Sequence, residues 1–114
     1  MSQKLLLIED DPGYDALVRR IMGPYMAEII TAKTMGDARR DLAMHKFNAV
    51  ILDLGLPDSL RDETIAAIPA IKESQPESVL VVVTGSDDDE VKKKCIEAGA
   101  DSFISKQSSN SMTI

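Results

Sequence analysis

Several residue types are scarce in this chain, and each scarcity excludes a class of protein. The 114 residues contain no tryptophan, one histidine and one cysteine, Cys95. A single cysteine excludes an internal disulfide framework and is typical of a reducing compartment, so we expect a cytoplasmic protein. The lone thiol is expected to act as a small buried hydrophobic group.

Long apolar segments and an excess of positive charge are also missing. The longest apolar runs are about five residues, whereas a membrane span needs about 20, and residues 1–4 carry no apolar secretory segment. We therefore expect no membrane insertion. With 13 Lys and Arg against 19 Asp and Glu, the formal charge is −6. Direct nucleic-acid binding is not expected, because it usually requires a basic surface stripe.

The bulk composition is that of an ordinary globular domain. Hydrophobic residues make up 44% of the 114 residues and charged residues 28%, which is typical of a soluble fold. At this length we predict one domain over residues 1–114, in which residues 107–114 form a short tail.

Short apolar runs alternate with segments of helical periodicity along the whole chain. The runs predict strands at residues 4–8, 27–31, 49–54, 78–84 and 102–105. The intervening segments place apolar residues three and four positions apart, as on the inner face of a helix. Strands that alternate with helices predict an α/β fold with a parallel sheet covered on both faces.

Capping and breaking residues mark where the helices begin and end. Asp11 and Thr34 are predicted N-caps, and Ser86 is predicted to cap the fourth helix. Gly99 suits the position just after that helix. Pro69 lies inside the third helical pattern and is expected to kink or shorten the helix, because proline lacks a backbone donor.

Polar residues with chemical capability follow four of the predicted strands. Glu9 and Asp10 follow the first, Asp53 ends the third, Thr84 ends the fourth and Lys106 follows the fifth. The carboxyl ends of parallel strands share one edge of the sheet, which is where ligands bind in such folds. Clustered carboxylates repel one another unless a cation such as magnesium lies between them. The set therefore suits a phosphoryl group next to Asp53, since carboxylates can form acyl phosphates.

These motifs, taken in order, resemble the receiver domain of two-component response regulators. The resemblance rests on residues 7–12, 50–58, 82–85 and 99–106, and it covers nearly the whole chain. It implies a flavodoxin-like, three-layer α/β/α fold with five parallel strands in the order 2-1-3-4-5. It also implies a signalling phosphoacceptor rather than an enzyme, with at most self-catalysed phosphorylation and dephosphorylation. The donor would be a histidine kinase or histidine phosphotransfer protein, and the downstream protein is not identified.

The resemblance assigns a phosphorylation site and a magnesium site. By matching position, Asp53 would be the phosphoacceptor and also a metal ligand. Asp10 would bind Mg²⁺ directly, Glu9 would bind it through a water molecule, and Gly55 would supply a backbone carbonyl.

The same resemblance assigns phosphoryl-binding and switch residues. Thr84 would bind a phosphoryl oxygen, and Gly85 would leave room for the group. Lys106 would bridge the phosphoryl group and the acceptor carboxylate. Phe103 matches the aromatic switch position, whose ring moves as the Thr84 hydroxyl turns toward the phosphate.

The chain departs from the family pattern at four places. Gln107 stands where proline usually follows the lysine, so the loop that aims Lys106 is expected to be trans or strained. Arg61 replaces a common glycine, and Pro69 is unusual in the third helix. Residues 107–114 are too few for a fifth helix of family length, so that helix is expected to be short or missing.

Other interpretations of the same residues remain. Asp53 could cap a turn, Asp10 and Asp11 could form the acidic pair, and Phe103 could be plain core. The chain could also be a receiver-fold binding module that works without phosphorylation. A doubly wound nucleotide or flavin domain is a third class, but the sequence lacks a glycine-rich phosphate loop.

Overall fold

The computed structural model describes residues 3–106, which form five strands and four α-helices in alternation. In chain order these are β1 (Lys4–Ile8), α1 (Pro12–Met22), β2 (Glu28–Ala32), α2 (Met35–Met44), β3 (Ala49–Asp53), α3 (Arg61–Ser74), β4 (Val79–Thr84), α4 (Asp89–Ala98) and β5 (Ser102–Ser105). A short 3-10 turn, Gly23–Tyr25, follows α1. The predicted strands agree with these bounds to within one residue.

The five strands form one sheet in the order β2-β1-β3-β4-β5, and every neighbouring pair is parallel. The predicted doubly wound sheet with order 2-1-3-4-5 is therefore confirmed. The register pairs Asp53 with Val83 and Thr84 with Ser105, so the last residues of β3, β4 and β5 lie side by side. This register brings the predicted polar residues to one edge.

Helices cover the sheet on both faces, as the three-layer prediction required. The larger core lies under α2, α3 and α4 and contains Leu6, Val50 and Val82, all fully buried. The smaller core lies under α1 and contains Leu5 and Leu7. Because β1 is buried on both faces, its sequence is continuously apolar rather than alternating.

The first two predicted N-caps are confirmed. Asp11 Oδ1 accepts a hydrogen bond of 3.0 Å from the Gly13 N–H, and Thr34 Oγ1 accepts one of 3.0 Å from the Asp37 N–H. Gly99 follows α4 with a φ of 123°, a conformation that favours glycine.

The predicted cap of α4 is wrong. Asp88 caps this helix, because its side chain accepts a hydrogen bond of 2.9 Å from the Glu90 N–H. Ser86 lies in the preceding turn, where its own N–H donates to Thr84 Oγ1 at 3.2 Å. A run of four consecutive acidic residues offers several equivalent caps, and sequence alone does not choose among them.

The predicted shortening of α3 at Pro69 is wrong, whereas the alternative, a kink, stays a prediction. The helix runs for 14 residues from Arg61 to Ser74, and Pro69 lies on its exposed side. Ile68 and Ile71, on either side of the proline, are buried in the larger core. Burying each of these side chains contributes about 1.5–3 kcal/mol, which offsets a proline cost of about 3 kcal/mol.

Two further expectations concern the membrane and the C-terminal tail. Within residues 3–106, no helix has both the length and the apolar character that crossing a membrane demands. The predictions on Gln107, on the Lys106–Gln107 bond and on a short or missing fifth helix fall on residues 107–114, which lie outside the described residues.

The loop that follows β3 is anchored to the N-terminus of α2. The Asp58 carboxylate accepts hydrogen bonds from the Met35 N–H at 2.8 Å and from the Gly36 N–H at 3.1 Å. The bond from Met35 is the main reason that the pKa of Asp58 lies below its usual value. A carboxylate at a helix N-terminus also interacts favourably with the helix dipole. This contact holds one end of the loop that carries Gly55.

We expect Asp58→Ala to lower the stability of the fold at pH 7, and Asp58→Asn to lower it less because an amide oxygen still accepts. A lowered folded-state pKa gives stability that is present above the unfolded value near 3.8 and is lost as the pH falls through the folded pKa. The difference in unfolding free energy between wild type and Asp58→Ala should therefore be constant from pH 7 to about 5 and shrink only below pH 3.8. Urea unfolding curves measure this, with the exposed Asp87→Ala as the control. Equal midpoints for wild type and Asp58→Ala at pH 7 would rule out the anchoring role.

Candidate functional site at the carboxyl edge of the sheet

The carboxyl ends of β1, β3, β4 and β5 line one cleft of about 430 Å³. A water molecule occupies about 30 Å³ in the liquid, so the cleft can hold a hydrated ion next to a phosphoryl-sized group. The lining includes seven residues that the sequence analysis assigned to the site: Glu9, Asp10, Asp53, Gly55, Thr84, Gly85 and Lys106.

Three carboxylates form the acidic side of the cleft. Oxygens of Glu9, Asp10 and Asp53 lie within 4.8 Å of one another. Glu9 and Asp53 are buried, whereas Asp10 is exposed. Asp11 instead caps α1 through its side chain, so the geometry groups Asp10 with Glu9 rather than with Asp11. Acids this close repel one another unless a cation or a proton compensates.

Lys106 supplies a positive charge from the end of β5. Its Nζ lies 2.7 Å from Glu9 Oε1 and 3.8 Å from Asp53 Oδ1. Burial lowers the pKa of Lys106, but its hydrogen bond to Glu9 and the nearby charge of Asp53 outweigh this, so the pKa is raised. The lysine is therefore held as a cation, and its closest partner is Glu9.

The ionised form of Glu9 is disfavoured at this position, and the pKa of its carboxyl group is raised. Burial is the main cause of its raised pKa, and the hydrogen bond shared with Asp53 adds to the effect. Lys106 offsets these causes only in part. Oε2 accepts from the Asp11 N–H at 3.2 Å, and Oε1 lies 2.7 Å from the Lys106 ammonium nitrogen.

The sequence analysis missed the contact between Lys106 and Tyr14. The lysine Nζ lies 4.4 Å from the centre of the Tyr14 ring, which is within the range of a cation–π interaction. The ring also packs against the smaller core, as its helical position predicted. Its place in the first turn of α1, just after the acidic pair, was the only signal in the sequence.

Thr84 and Phe103 lie near each other but differ in their access to the cleft. Thr84 is buried and lines the cleft, and its Oγ1 accepts from the Ser86 N–H, which leaves the hydroxyl proton to donate. Phe103 pairs with Val82, two residues before the Thr84–Ser105 pair. Its ring is half-buried against the larger core rather than in the cleft.

Two more residues complete the cleft. A Cβ on Gly55 would lie 3.6 Å from Asp53 Oδ2, an ordinary van der Waals distance, so this backbone passes close to the Asp53 carboxylate. Arg61, the first residue of α3, lines the same cleft. The sequence analysis noted Arg61 only as a departure from the family.

With this geometry in place, the chain was compared with known proteins. The family model of the response regulator receiver domain matches residues 5–113. The chain belongs to this family. The recognition made from the four sequence motifs is thereby confirmed.

Curated relatives of this receiver domain are longer proteins. It is 35% identical over 106 residues to a cyclic di-GMP phosphodiesterase of Thermotoga maritima, covering 90% of this chain and 26% of that protein. It is 33% identical over 102 residues to the transcriptional regulatory protein KdpE of Mycobacterium tuberculosis, covering 90% of this chain and 43% of KdpE. The chain therefore spans less than half the length of both relatives.

A solved receiver domain has the same fold. The beryllofluoride-activated receiver domain of DrrB, from Thermotoga maritima, matches with a TM-score of 0.81 and 29% identity. The match covers 93% of this chain and 86% of that one. A receiver domain is typically a signalling module, and the match to the first relative covers only 26% of that protein.

We expect Glu9→Gln to be more stable than wild type at pH 7.5 in the presence of EDTA, because the substitution removes a buried charge. A raised folded-state pKa means that ionised Glu9 opposes folding above that pKa, and that the penalty disappears as the pH falls toward the unfolded value of 4.5. The difference between the two proteins should therefore narrow between pH 7.5 and 4.5.

Thermal melts at both pH values measure this difference. A lower melting temperature for Glu9→Gln at pH 7.5 would mean that the ion pair with Lys106 outweighs the burial of Glu9.

Proposed function

We propose that this receiver domain accepts a phosphoryl group on Asp53 from a histidine kinase or a histidine phosphotransfer protein. The observation that carries the proposal is the placement of a buried acceptor carboxylate between two further acids and a lysine, in a cleft open to a partner. Neither a turn cap nor a structural ion pair requires three acids from two strands to converge. Membership of the receiver family supports the same assignment.

A divalent cation, which we propose to be Mg²⁺, fits the acidic side of the cleft. The donor set is made of three carboxylates whose oxygens lie within 4.8 Å of one another, and hard cations prefer oxygen ligands. Asp10 and Asp53 would hold the ion directly, Glu9 through a water molecule, and Gly55 through its carbonyl. When bound, the ion would neutralise negative charge that develops on the phosphoryl oxygens.

The chain's own residues would act chiefly by position and charge. One Asp53 oxygen forms a bond to phosphorus as the phosphorus–nitrogen bond of the donor histidine breaks, and the electron pair stays on the imidazole. Lys106 would bind a phosphoryl oxygen with its ammonium group, and Thr84 would donate its hydroxyl proton to another. Most of the catalysis in such transfers comes from positioning and electrostatics.

Phosphorylation would be read through Thr84 and Phe103. If the Thr84 hydroxyl turns toward the phosphoryl group, it leaves its contact with the Ser86 N–H. Phe103 lies two register positions from Thr84 and is half-buried, so a shift of its ring between the surface and the core would be exposed to a partner. A local charge change would thereby bias a packing element that a downstream protein can detect.

The remaining expectations about the whole protein stay predictions. We expect no enzymatic activity beyond self-catalysed phosphorylation and dephosphorylation, and no direct nucleic-acid binding by this domain. The transcriptional regulatory protein KdpE is one relative, so a nucleic-acid-binding partner domain is compatible with the family. The cytoplasmic location rests on the single cysteine.

Incubation with acetyl phosphate and Mg²⁺ should add one phosphoryl group to the wild-type chain and none to Asp53→Asn. The asparagine variant removes the nucleophilic oxygen while keeping the shape of the side chain. Intact mass spectrometry at neutral pH measures the addition, and Asp41→Asn is a suitable control on the surface of α2. An unmodified wild-type mass would contradict the proposal. Equal affinity of wild type and Asp53→Asn for a partner would then favour a phosphorylation-independent binding module.

Saturation with Mg²⁺ should raise the melting temperature of wild type, because the ion binds the folded state alone. At ten times the dissociation constant, the expected gain is about 1.4 kcal/mol. Asp10→Asn should lose most of this gain. Asp11→Asn should keep it, because Asp11 caps α1 and asparagine is an equally good cap. Loss of the gain in Asp11→Asn instead would reassign the metal site to the Asp10–Asp11 pair.

A further inference from the structure

Within residues 3–106, Arg61 is a cation without a carboxylate partner in an ion pair, and it lies at the edge of the cleft. It is exposed and lines the cleft together with Asp53, Thr84 and Lys106. None of the ion pairs among residues 3–106 involves its guanidinium. The nearby Glu63 side chain is already engaged, since it accepts from the Leu60 N–H at 2.9 Å.

The position of Arg61 is unfavourable for the helix that it begins. It is the first residue of α3, where the positive end of the helix dipole disfavours a cation. The next two residues, Asp62 and Glu63, are acidic, as this end of a helix prefers. The stability of the helix therefore does not explain the arginine.

The positive charge of Arg61 also acts on Cys95, which lies on α4. Burial raises the pKa of the Cys95 thiol, and the charge of Arg61 partly opposes this rise. Cys95 is fully buried on α4.

The side chains that line the cleft carry more negative than positive charge. Four acids line it, Glu9, Asp10, Asp11 and Asp53, against the two cations Lys106 and Arg61. Lys106 is closer to Glu9, at 2.7 Å, than to Asp53, at 3.8 Å. Phosphorylation would add negative charge at Asp53, where the lysine is already shared.

We propose that Arg61 is a phosphoryl-binding residue that pairs with the phosphoryl oxygens on Asp53 and supplements Lys106. This inference rests on the proposed function. The planar guanidinium can donate two parallel hydrogen bonds to a phosphoryl group, which an ammonium group cannot do. No bond to Arg61 is made or broken, and the interaction exists only when the anion is present.

Beryllofluoride binding in the presence of Mg²⁺ tests the role of Arg61, because this anion imitates a phosphoryl group on a carboxylate. The variants are Arg61→Ala, Arg61→Lys and a matched control, Arg20→Ala, which removes an exposed positive charge in the last turn of α1. Titrations followed by NMR of the amide groups give the dissociation constant of each protein, and melts in EDTA report on the fold.

We expect Arg61→Ala to weaken beryllofluoride binding roughly fivefold, the size of one charge-assisted contact at a partly exposed site. Arg61→Lys should fall between Arg61→Ala and wild type, and Arg20→Ala should match wild type. Arg61→Ala should melt no lower than wild type in EDTA, because the helix loses an unfavourable charge, and its Mg²⁺ affinity without the anion should not fall. A structural role would instead lower stability and metal affinity together.

The outcomes separate this inference from the proposed function. If wild type binds beryllofluoride and Arg61→Ala binds it equally tightly, the arginine has no role and the phosphoacceptor proposal stands. If wild type does not bind the anion, or if Asp53→Asn binds it as well as wild type does, the proposed function itself fails. If Arg20→Ala loses as much affinity for beryllofluoride as Arg61→Ala does, net charge explains the loss, and the specific role of Arg61 is overturned.

Discussion

Electrostatic repulsion among Glu9, Asp10 and Asp53 is the constraint on which the rest of the site depends. Their oxygens lie within 4.8 Å of one another, and two of the three side chains are buried. Like charges in a low-dielectric environment oppose folding unless a counter-charge is present. The Lys106 ammonium, 2.7 Å from Glu9, supplies only part of that charge. The arrangement is therefore set up to bind a further cation and to respond when one of the acids changes its charge.

The parallel sheet is what allows such an arrangement to persist. Its center is apolar and buried on both faces, so its free energy does not depend on the polar edge. The register places the last residues of neighbouring strands side by side. The stability that the apolar core provides therefore offsets the electrostatic repulsion among the charges at the edge. Tyr14 joins the two regions, because its ring packs in the smaller core and lies beneath Lys106.

The loop between β3 and α3 connects Asp53 to other parts of the domain. Asp58 anchors it to the N-terminus of α2, and Arg61 begins α3 at the rim of the cleft. Neither contact follows from the family motifs. A change of charge at Asp53 could therefore be felt at α2 and α3 as well as through Thr84 and Phe103.

The sequence by itself determined the strands, their parallel arrangement and the identity of the polar residues at the sheet edge. These features follow from local periodicity and from the chemistry of strand ends, which are written in contiguous residues. Only the tertiary structure decided which charged groups meet. It showed that Lys106 lies closer to Glu9 than to Asp53 and that the Tyr14 ring contacts its ammonium group. It also showed that Asp58 binds the N-terminus of α2 and that Arg61 lines the cleft. It also decided that Asp88 rather than Ser86 caps α4 and that α3 continues through Pro69. The physical reason is that these contacts depend on side-chain reach and packing between segments far apart in the chain.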